Sequence, residues 1–305
     1  MITIAEKLFG PPRIASRTPA AWVDEPYTRF SLRPVNPTIG AFVDGVRLSE
    51  PIDDELHHQL NRALLEWKVL FFREQHLTHE QHRTLGERWG ELETHPFFGV
   101  VRNNQDAARP KVTRLAGGAA GEAKGAAGVW HSDTSWRACP SLGSLLQAVE
   151  VPPVGGDTLW ADMAAAYDCL GEDVKAQIDG RYAVHDWWDS FGQGMQENQR
   201  EALRRDFPPV EHPIVRTHPE TGRKTLYVNA VFTQHIVGMD PDDSAVLLRH
   251  LFRQASYPEF QCRLRWEPGT LAFWDNRATQ HCPSADYLPH RRVMERITIG
   301  GDRPF

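Results

Sequence analysis

A chain of 305 residues with 41% apolar and 24% charged side chains can bury a sizeable core, and these fractions exclude intrinsic disorder. With 34 basic and 40 acidic residues the net charge is −6, so no basic surface points to nucleic acid or to an anionic membrane. Four cysteines without a C-x-x-C pair exclude a disulfide framework, and no apolar run of 18 residues or secretory leader is present, which predicts a cytoplasmic protein without a membrane anchor.

Residues 1–26 carry scattered Pro and Arg with poor periodicity and read as an N-terminal extension, followed by a single domain over 27–305. Alternation over 28–35 predicts a strand, and Ala41, Phe42 and Val43 after Gly40 predict its hairpin partner. Asp53 and Asp54 can cap a helix on which Leu56, Leu60, Leu64 and Trp67 form one apolar stripe. Val69, Leu70, Phe71 and Phe72 then read as a short buried strand. Thr78 with Gln81 three residues on has capping-box form and opens a second helix carrying Leu85 and Trp89. Residues 115–128 are almost wholly Gly and Ala, which predicts a loop, either a lid beside the chemistry or a tolerated surface insertion. Helices follow at 163–170 and 172–178, and Asp240 with Pro241 starts another through Leu247, Leu248, Leu251 and Phe252. Leu271 to Trp274 and Arg292 to Ile299 are the strongest strand signals. Many short strands with inserted helices and no composition break predict one β-rich α+β domain, a barrel or sandwich with a helical cover.

Fourteen histidines raise the question of a metal. In an extended chain residues i and i+2 share a face, so a carboxylate two residues after a histidine can join it on one ion. Given 40 acidic residues in 305, roughly two such pairs arise by chance, and two occur, at His131 with Asp133 and at His218 with Glu220. Context separates them. His218 precedes a Thr-Gly turn and reads as a hairpin tip, whereas His131 lies among Val129, Trp130, Thr134 and Trp136, a strand-like setting. His281, shortly after Trp274, is the best third ligand. Two imidazoles and one carboxylate leave open positions suited to non-haem Fe(II), although catalytic Zn takes the same set. The helical zinc motif H-E-x-x-H is absent, since His79-Glu80-Gln81-His82 has the wrong spacing.

Arginine supplies 28 of the 34 basic residues, so an isolated one means little. Arg292 and Arg296 differ because they share one face of a strongly predicted strand with Met294 and Thr298, ~13 Å apart at about 3.3 Å per residue. Glu295 is on the other face and cannot pair with them. Anion binding and structural ion pairs are both open for this pair.

Together, His131-Ser132-Asp133 after Trp130, the stretch Gly155-Gly156-Asp157-Thr158-Leu159-Trp160, Trp274-Asp275-Asn276-Arg277 through His281, and Arg292 eleven residues later resemble the taurine dioxygenase family of Fe(II)- and 2-oxoglutarate-dependent oxygenases. The likeness runs from about Phe30 to the C-terminus. It implies a double-stranded β-helix, the cupin-like jelly-roll, with helical cover and insertions. It implies that His131, Asp133 and His281 hold Fe(II), and that Arg292 and the Thr158 hydroxyl take the distal carboxylate of 2-oxoglutarate. Dioxygen is then the second co-substrate, and decarboxylation to succinate is coupled to substrate hydroxylation. Asp133 also argues against halogenation, because family halogenases lack this carboxylate.

The same resemblance assigns Arg296 and His95 to a substrate sulfonate, and Phe191 and Phe232 to the pocket wall. Phe98 and Ala127 replace a Tyr and an Asn of taurine enzymes, which predicts a small anionic substrate whose other end is more apolar than taurine's. A taurine-like alkyl sulfonate, released as sulfite and an aldehyde, is the leading expectation. Cleavage of an alkyl sulfate or aryloxyalkanoate, or a biosynthetic hydroxylation, is the alternative within the family. A non-catalytic cupin-like protein that binds metal and anion, and a zinc hydrolase built on the same triad, are alternatives of other classes. By analogy with the family a homo-oligomer, dimer or tetramer, is expected.

Overall fold

The computed structural model describes residues 15, 25–94, 96–97, 112–118, 128–193 and 195–305. Its first half runs β1 (Ser31–Pro34), β2 (Ala41–Asp44), α1 (Asp54–Trp67), β3 (Val69–Phe72), α2 (His79–Glu87), β4 (Leu92–Glu93), β5 (Thr113–Gly117), β6 (Gly143–Glu150) and β7 (Thr158–Asp162). The second half runs α3 (Met163–Asp168), α4 (Glu172–Ile178), β8 (Tyr182–His185), α5 (Glu197–Asp206), β9 (Val210–Pro213), β10 (Val215–Thr217), β11 (Lys224–Leu226), β12 (Thr233–Ile236), α6 (Pro241–Phe252), β13 (Gln261–Leu264), β14 (Leu271–Asp275), β15 (Thr279–Pro283) and β16 (Arg292–Ile299). No helix among the described residues is long and apolar enough to cross a membrane.

The helices start where local chemistry dictates. Asp53 accepts a hydrogen bond from Leu56 N at the head of α1, Thr78 and Gln81 complete a reciprocal capping box on α2, and the Asp240 carboxylate accepts from Asp242 N and Asp243 N on α6. β1 begins at Ser31, later than the alternation from Thr28 predicts, because Thr28 N and Arg29 N donate to the Gln59 Oε1 rather than to a neighbouring strand.

A large sheet of eight strands has the order β1-β2-β3-β14-β6-β16-β4, with β5 also paired to β16, and a smaller sheet runs β13-β7-β15. Strand parity decides what lies between them. Val69 and Phe71 of β3 pack with Trp160 of β7 and with Cys262 and Leu264 of β13, while Leu70 and Phe72 point the other way onto Leu60 and Leu64 of α1. β14 divides likewise, with Ala272 and Trp274 in the inter-sheet core and Leu271 and Phe273 on the helical side. Burial on both faces is why these strands read as unbroken apolar runs rather than as alternations. A further core joins α3 and α6 to β8, β11 and β12 through Ala165, Ile236, Leu248 and Leu251.

One expectation is corrected. Leu115, Ala116 and Gly117 are not loop but the end of β5, in register with Met294, Val293 and Arg292 of β16. Small side chains do not prevent a main-chain ladder when a long strand offers its edge, and Leu115 packs against the inter-sheet core. Residues 119–127, including Ala127, and most of the predicted N-terminal extension lie outside the described residues.

Phe71 is fully buried, with ring centroids 5.4 Å from Trp160 and 5.3 Å from Phe42. Phe71→Ala should therefore cost about 3–5 kcal/mol in urea unfolding, against about 1 kcal/mol for Thr78→Ala at the α2 cap. Burial also pushes the His82 imidazole down from 6.5 to about 4. The unfolded chain then binds the extra proton first, so this contribution to stability is complete above about pH 6.5 and is lost as the pH falls toward 4. The urea midpoint of metal-free protein should drop over that window, and His82→Leu should flatten part of the drop.

Candidate active site

The site forms where the smaller sheet meets the segment after residue 128. β15 pairs with β7, placing His281 opposite Trp160, and the Thr279 Oγ1 donates to Asp275 O at 2.7 Å to close the turn that delivers it. His131 is tied to His281 by two main-chain hydrogen bonds, His131 N to His281 O at 3.0 Å and His281 N to His131 O at 2.8 Å. That single bridge sets the two rings 4.2 Å apart between centroids.

The strand predicted at 131–133 is not there. After its one bridge residue the chain turns, with Thr134 at φ +54°, and Asp133 reaches His131 through the turn rather than by strand parity. The reason is local. The Ser132 Oγ donates to Asn276 O at 2.7 Å and Asp133 N donates to the Asn276 Oδ1 at 3.4 Å, so the polar groups of this segment are satisfied by the β14–β15 turn instead of by a ladder.

Ligand atoms of His131, Asp133 and His281 all lie within 4.8 Å of one another, and all three residues are buried. The His131 Nδ1 is 3.0 Å from Val129 O, which can only accept, so this nitrogen carries the proton and leaves the Nε2 lone pair, 4.0 Å from the Asp133 Oδ1, for a metal. Burial pushes both imidazoles down, His281 to about 3, with the neighbouring ring adding to the effect there. Burial alone would raise the Asp133 carboxyl. The Arg296 guanidinium and the hydrogen bond from the Ser144 hydroxyl oppose it, and Asp133 is held below the usual carboxylate range. Two neutral nitrogens and one ionised carboxylate are the protonation states that metal binding requires.

The two arginines of β16 are in different situations. The Arg296 Nη1 donates to the Asp133 Oδ1 at 3.1 Å, and its Nε is buried without a partner. Arg292 donates from Nε to Gly156 O at 3.0 Å, its Nη2 is buried and unpartnered, and it makes no ion pair among the described residues. Its guanidinium lies 5.9 Å from the Trp266 ring and 6.0 Å from that of Tyr287. Trp266 in turn donates to the Thr158 Oγ1 at 3.0 Å, so it touches Arg292 and Thr158 together. Gly156, at φ +70°, admits the arginine because a Cβ there would stand 3.1 Å from the Arg292 Cδ.

An aromatic wall adjoins the histidines. Phe232 lies 6.4 Å edge-on from His131, Phe191 lies 6.1 Å from Phe232, and Phe97 stacks on Phe191 at 4.8 Å. Phe191 sits in a π-helical turn, Trp188–Gly192. The family resemblance assigns Phe98 rather than its neighbour Phe97 to the pocket; His95 and Phe98 both lie outside the described residues. The other candidate pair separates, since His218 is buried and donates from Nε2 to the Asp275 Oδ2 at 3.0 Å, while its Nδ1 accepts from Glu220 N and Thr221 N. His185 is equally buried, between the hydroxyls of Ser135 and Thr233.

Asp275 enters the sequence reading only as part of the Trp274-Asp275-Asn276-Arg277 motif, without a role of its own. Besides His218 it accepts from the Arg277 Nε at 2.9 Å and Nη2 at 2.8 Å, and Arg277 pairs with Glu220 at 2.7 Å. Burial opposes its ionisation, but Arg277 and His218 hold it far below the usual carboxylate range. A charged residue directly after the apolar run of β14 was the available signal, since such a charge must find partners.

A family model described as "Taurine catabolism dioxygenase TauD, TfdA family" matches residues 31–298. An alkylsulfatase of Acinetobacter baylyi is 33% identical over 298 residues, covering 92% of this chain and 88% of its own. An alpha-ketoglutarate-dependent 2,4-dichlorophenoxyacetate dioxygenase of Cupriavidus pinatubonensis is 34% identical over 283 residues, covering 88% of this chain and 97% of its own. Among solved structures, a taurine dioxygenase from Burkholderia xenovorans superposes with a TM-score of 0.76 at 36% identity, covering 90% of this chain and 92% of that one.

Removing the Asp275 carboxylate leaves Arg277 and His218 buried and short of their partner. Asp275→Ala should lower unfolding stability by about 3–5 kcal/mol, measured in urea.

Proposed function

The chain belongs to the TauD/TfdA family and is an Fe(II)- and 2-oxoglutarate-dependent dioxygenase; on that premise we propose that His131, Asp133 and His281 hold the iron, Arg292 and Thr158 the 2-oxoglutarate, and Arg296, His95, Phe98, Phe191 and Phe232 a small anionic substrate. The two facing sheets support reading the core as a double-stranded β-helix with helical cover. Bound together, Fe(II), 2-oxoglutarate and dioxygen supply an oxidative decarboxylation coupled to hydroxylation of an unactivated carbon.

The protein's share is positioning. Neutral His131 and His281 and ionised Asp133 would hold the iron through three protein donors and would leave its other positions to co-substrates. The observation that carries the assignment is Arg292: a half-buried side chain whose Nη2 is buried and unpartnered, and which makes no ion pair among the described residues, is a costly arrangement unless a ligand brings the anion. A planar fork suits a carboxylate, and the Thr158 hydroxyl, which already accepts from Trp266, keeps its proton to donate.

Arg296 is anchored to Asp133 at one edge and leaves its Nε for a second anion beside the iron. Phe191 and Phe232 would meet the rest of that molecule with apolar surface and keep water from the reacting carbon. An alkyl sulfonate with an apolar end fits this description. Hydroxylation of its sulfonate-bearing carbon gives an α-hydroxysulfonate that separates into aldehyde and sulfite. The aromatic wall favours one second reading, an alkyl sulfate or aryloxyalkanoate such as the names of the relatives describe, in which the new hydroxyl breaks a C–O bond instead.

Sulfonates, alkyl sulfates and aryloxyalkanoates assayed side by side for succinate and sulfite separate these readings. Equal succinate and sulfite from an apolar-tailed sulfonate is expected; succinate with sulfate or a phenol from the other classes, and no sulfite from any sulfonate, overturns the sulfonate assignment. Arg292→Ala should raise the KM for 2-oxoglutarate about 10- to 100-fold, the worth of a charge-assisted hydrogen bond, with Fe(II) affinity nearly unchanged. Loss of iron binding in that variant would reject the assignment of the two arginines.

A further inference from the structure

Around Asp133 the structure holds a hydrogen-bond chain whose direction can be worked out from donor chemistry alone. Strand parity turns Ser144, Leu146 and Ala148 of β6 toward the inter-sheet side, and the register places Ser144 beside Trp274 of β14. The Trp274 Nε1 lies 2.9 Å from the Asn276 Oδ1. An indole nitrogen can only donate, so this amide oxygen must face Trp274, and the main-chain Asp133 N shares it. The Asn276 Nδ2 is thereby turned to the hydroxyls of Ser141, at 3.0 Å, and Ser144, at 3.4 Å. Since Nδ2 can only donate, Ser144 accepts from it and must send its own proton elsewhere. The Asp133 Oδ2, 2.9 Å away, receives it.

We propose that Ser144 and Asn276 are positioning residues that commit Asp133 to the metal through one oxygen. Oδ2 accepts from the Ser144 hydroxyl, while Oδ1, which accepts from the Arg296 Nη1 at 3.1 Å, is the oxygen nearer the His131 Nε2 and offers its remaining lone pair to the ion. A carboxylate free to rotate can bring both oxygens to a metal and take up a position that a co-substrate needs. The bond from Ser144 to Oδ2, together with that from Arg296 to Oδ1, opposes this rotation. The same Asn276 side chain accepts from Asp133 N, and its main-chain oxygen accepts from the Ser132 Oγ, so the turn that presents Asp133 and the orientation of its carboxylate are fixed by one residue. Outer groups of this kind tune metal affinity without touching the ion. The inference rests on the metal reading given above and adds to it a specific requirement on two residues outside the ligand set.

Co(II), added anaerobically to metal-free protein, is the probe, because its visible absorption reports coordination number and its titration gives a dissociation constant without turnover. The wild type should bind one equivalent and Asp133→Ala should abolish this; if the wild type takes up none, or Asp133→Ala binds as well, the metal reading itself fails. Given binding that depends on Asp133, Ser144→Ala, which removes a single hydroxyl, should raise the Co(II) dissociation constant about 10-fold or more and change the intensity of the visible bands, with the thermal unfolding midpoint of the metal-free protein little altered. Asn276→Ala should move affinity in the same direction, and the double variant should be no weaker than the weaker single one within about threefold, as members of one chain require. A Ser144→Ala protein with wild-type affinity and spectrum overturns the proposal while leaving the metal reading standing, and two effects that multiply in the double variant overturn the chain.

Discussion

Two main-chain hydrogen bonds between His131 and His281 are the constraint on which the site depends. His281 is held by the ladder of β15 on β7, which is rigid because Trp160 and its neighbours fill the space between the sheets. His131 has no strand of its own. It borrows its position from His281, and Asp133 borrows its position from His131 and from the β14–β15 turn. The three donors therefore come from two places in the chain, yet all are registered to β15 and the turn that leads into it from β14.

The charge arrangement follows from that register. Arg292 and Arg296 share a face of β16, as parity requires, but only Arg296 reaches Asp133. Its guanidinium offsets the desolvation of a buried carboxylate and keeps it ionised between two imidazoles whose own burial keeps them neutral. Arg292, four residues back along the extended strand, meets aromatic rings and a carbonyl oxygen rather than an acid. One arginine thus completes the donor set and the other keeps a positive charge in reserve. The Asp275, His218, Arg277 and Glu220 network performs the corresponding task behind the site, where every charge has a partner within the protein.

What was legible in the sequence follows physical lines. Helix starts could be read because Asp53, Thr78 and Asp240 act within a few residues of themselves. β3 and β14 could be read because burial on both faces demands apolar runs, and β16 because Val293, Ile297 and Ile299 share one buried face. Motif context identifies His131, Asp133 and His281, and the structure brings their ligand atoms together, but a turn and not the extended strand that parity predicts joins the first two. Ser144 has no signal in the sequence, and Asn276 enters only as part of the motif, because the contacts of both are made across the sheet, which no local pattern encodes. Phe97 escapes notice because two adjacent phenylalanines cannot be assigned to faces without knowing the fold. Leu115 to Gly117 were misread because strand formation there is decided by the edge of β16 and not by their own side chains.

The account stands on a buried triad and an unpaired Arg292 acting as one site for iron and a 2-oxo acid. Anaerobic addition of Fe(II) and then 2-oxoglutarate, followed by visible absorption, tests this directly. A weak metal-to-ligand charge-transfer band that saturates at one 2-oxoglutarate per iron is the predicted result, since it requires the 2-oxo acid to chelate the metal held by His131, Asp133 and His281. Iron that binds without any such band at saturating 2-oxoglutarate would contradict the account.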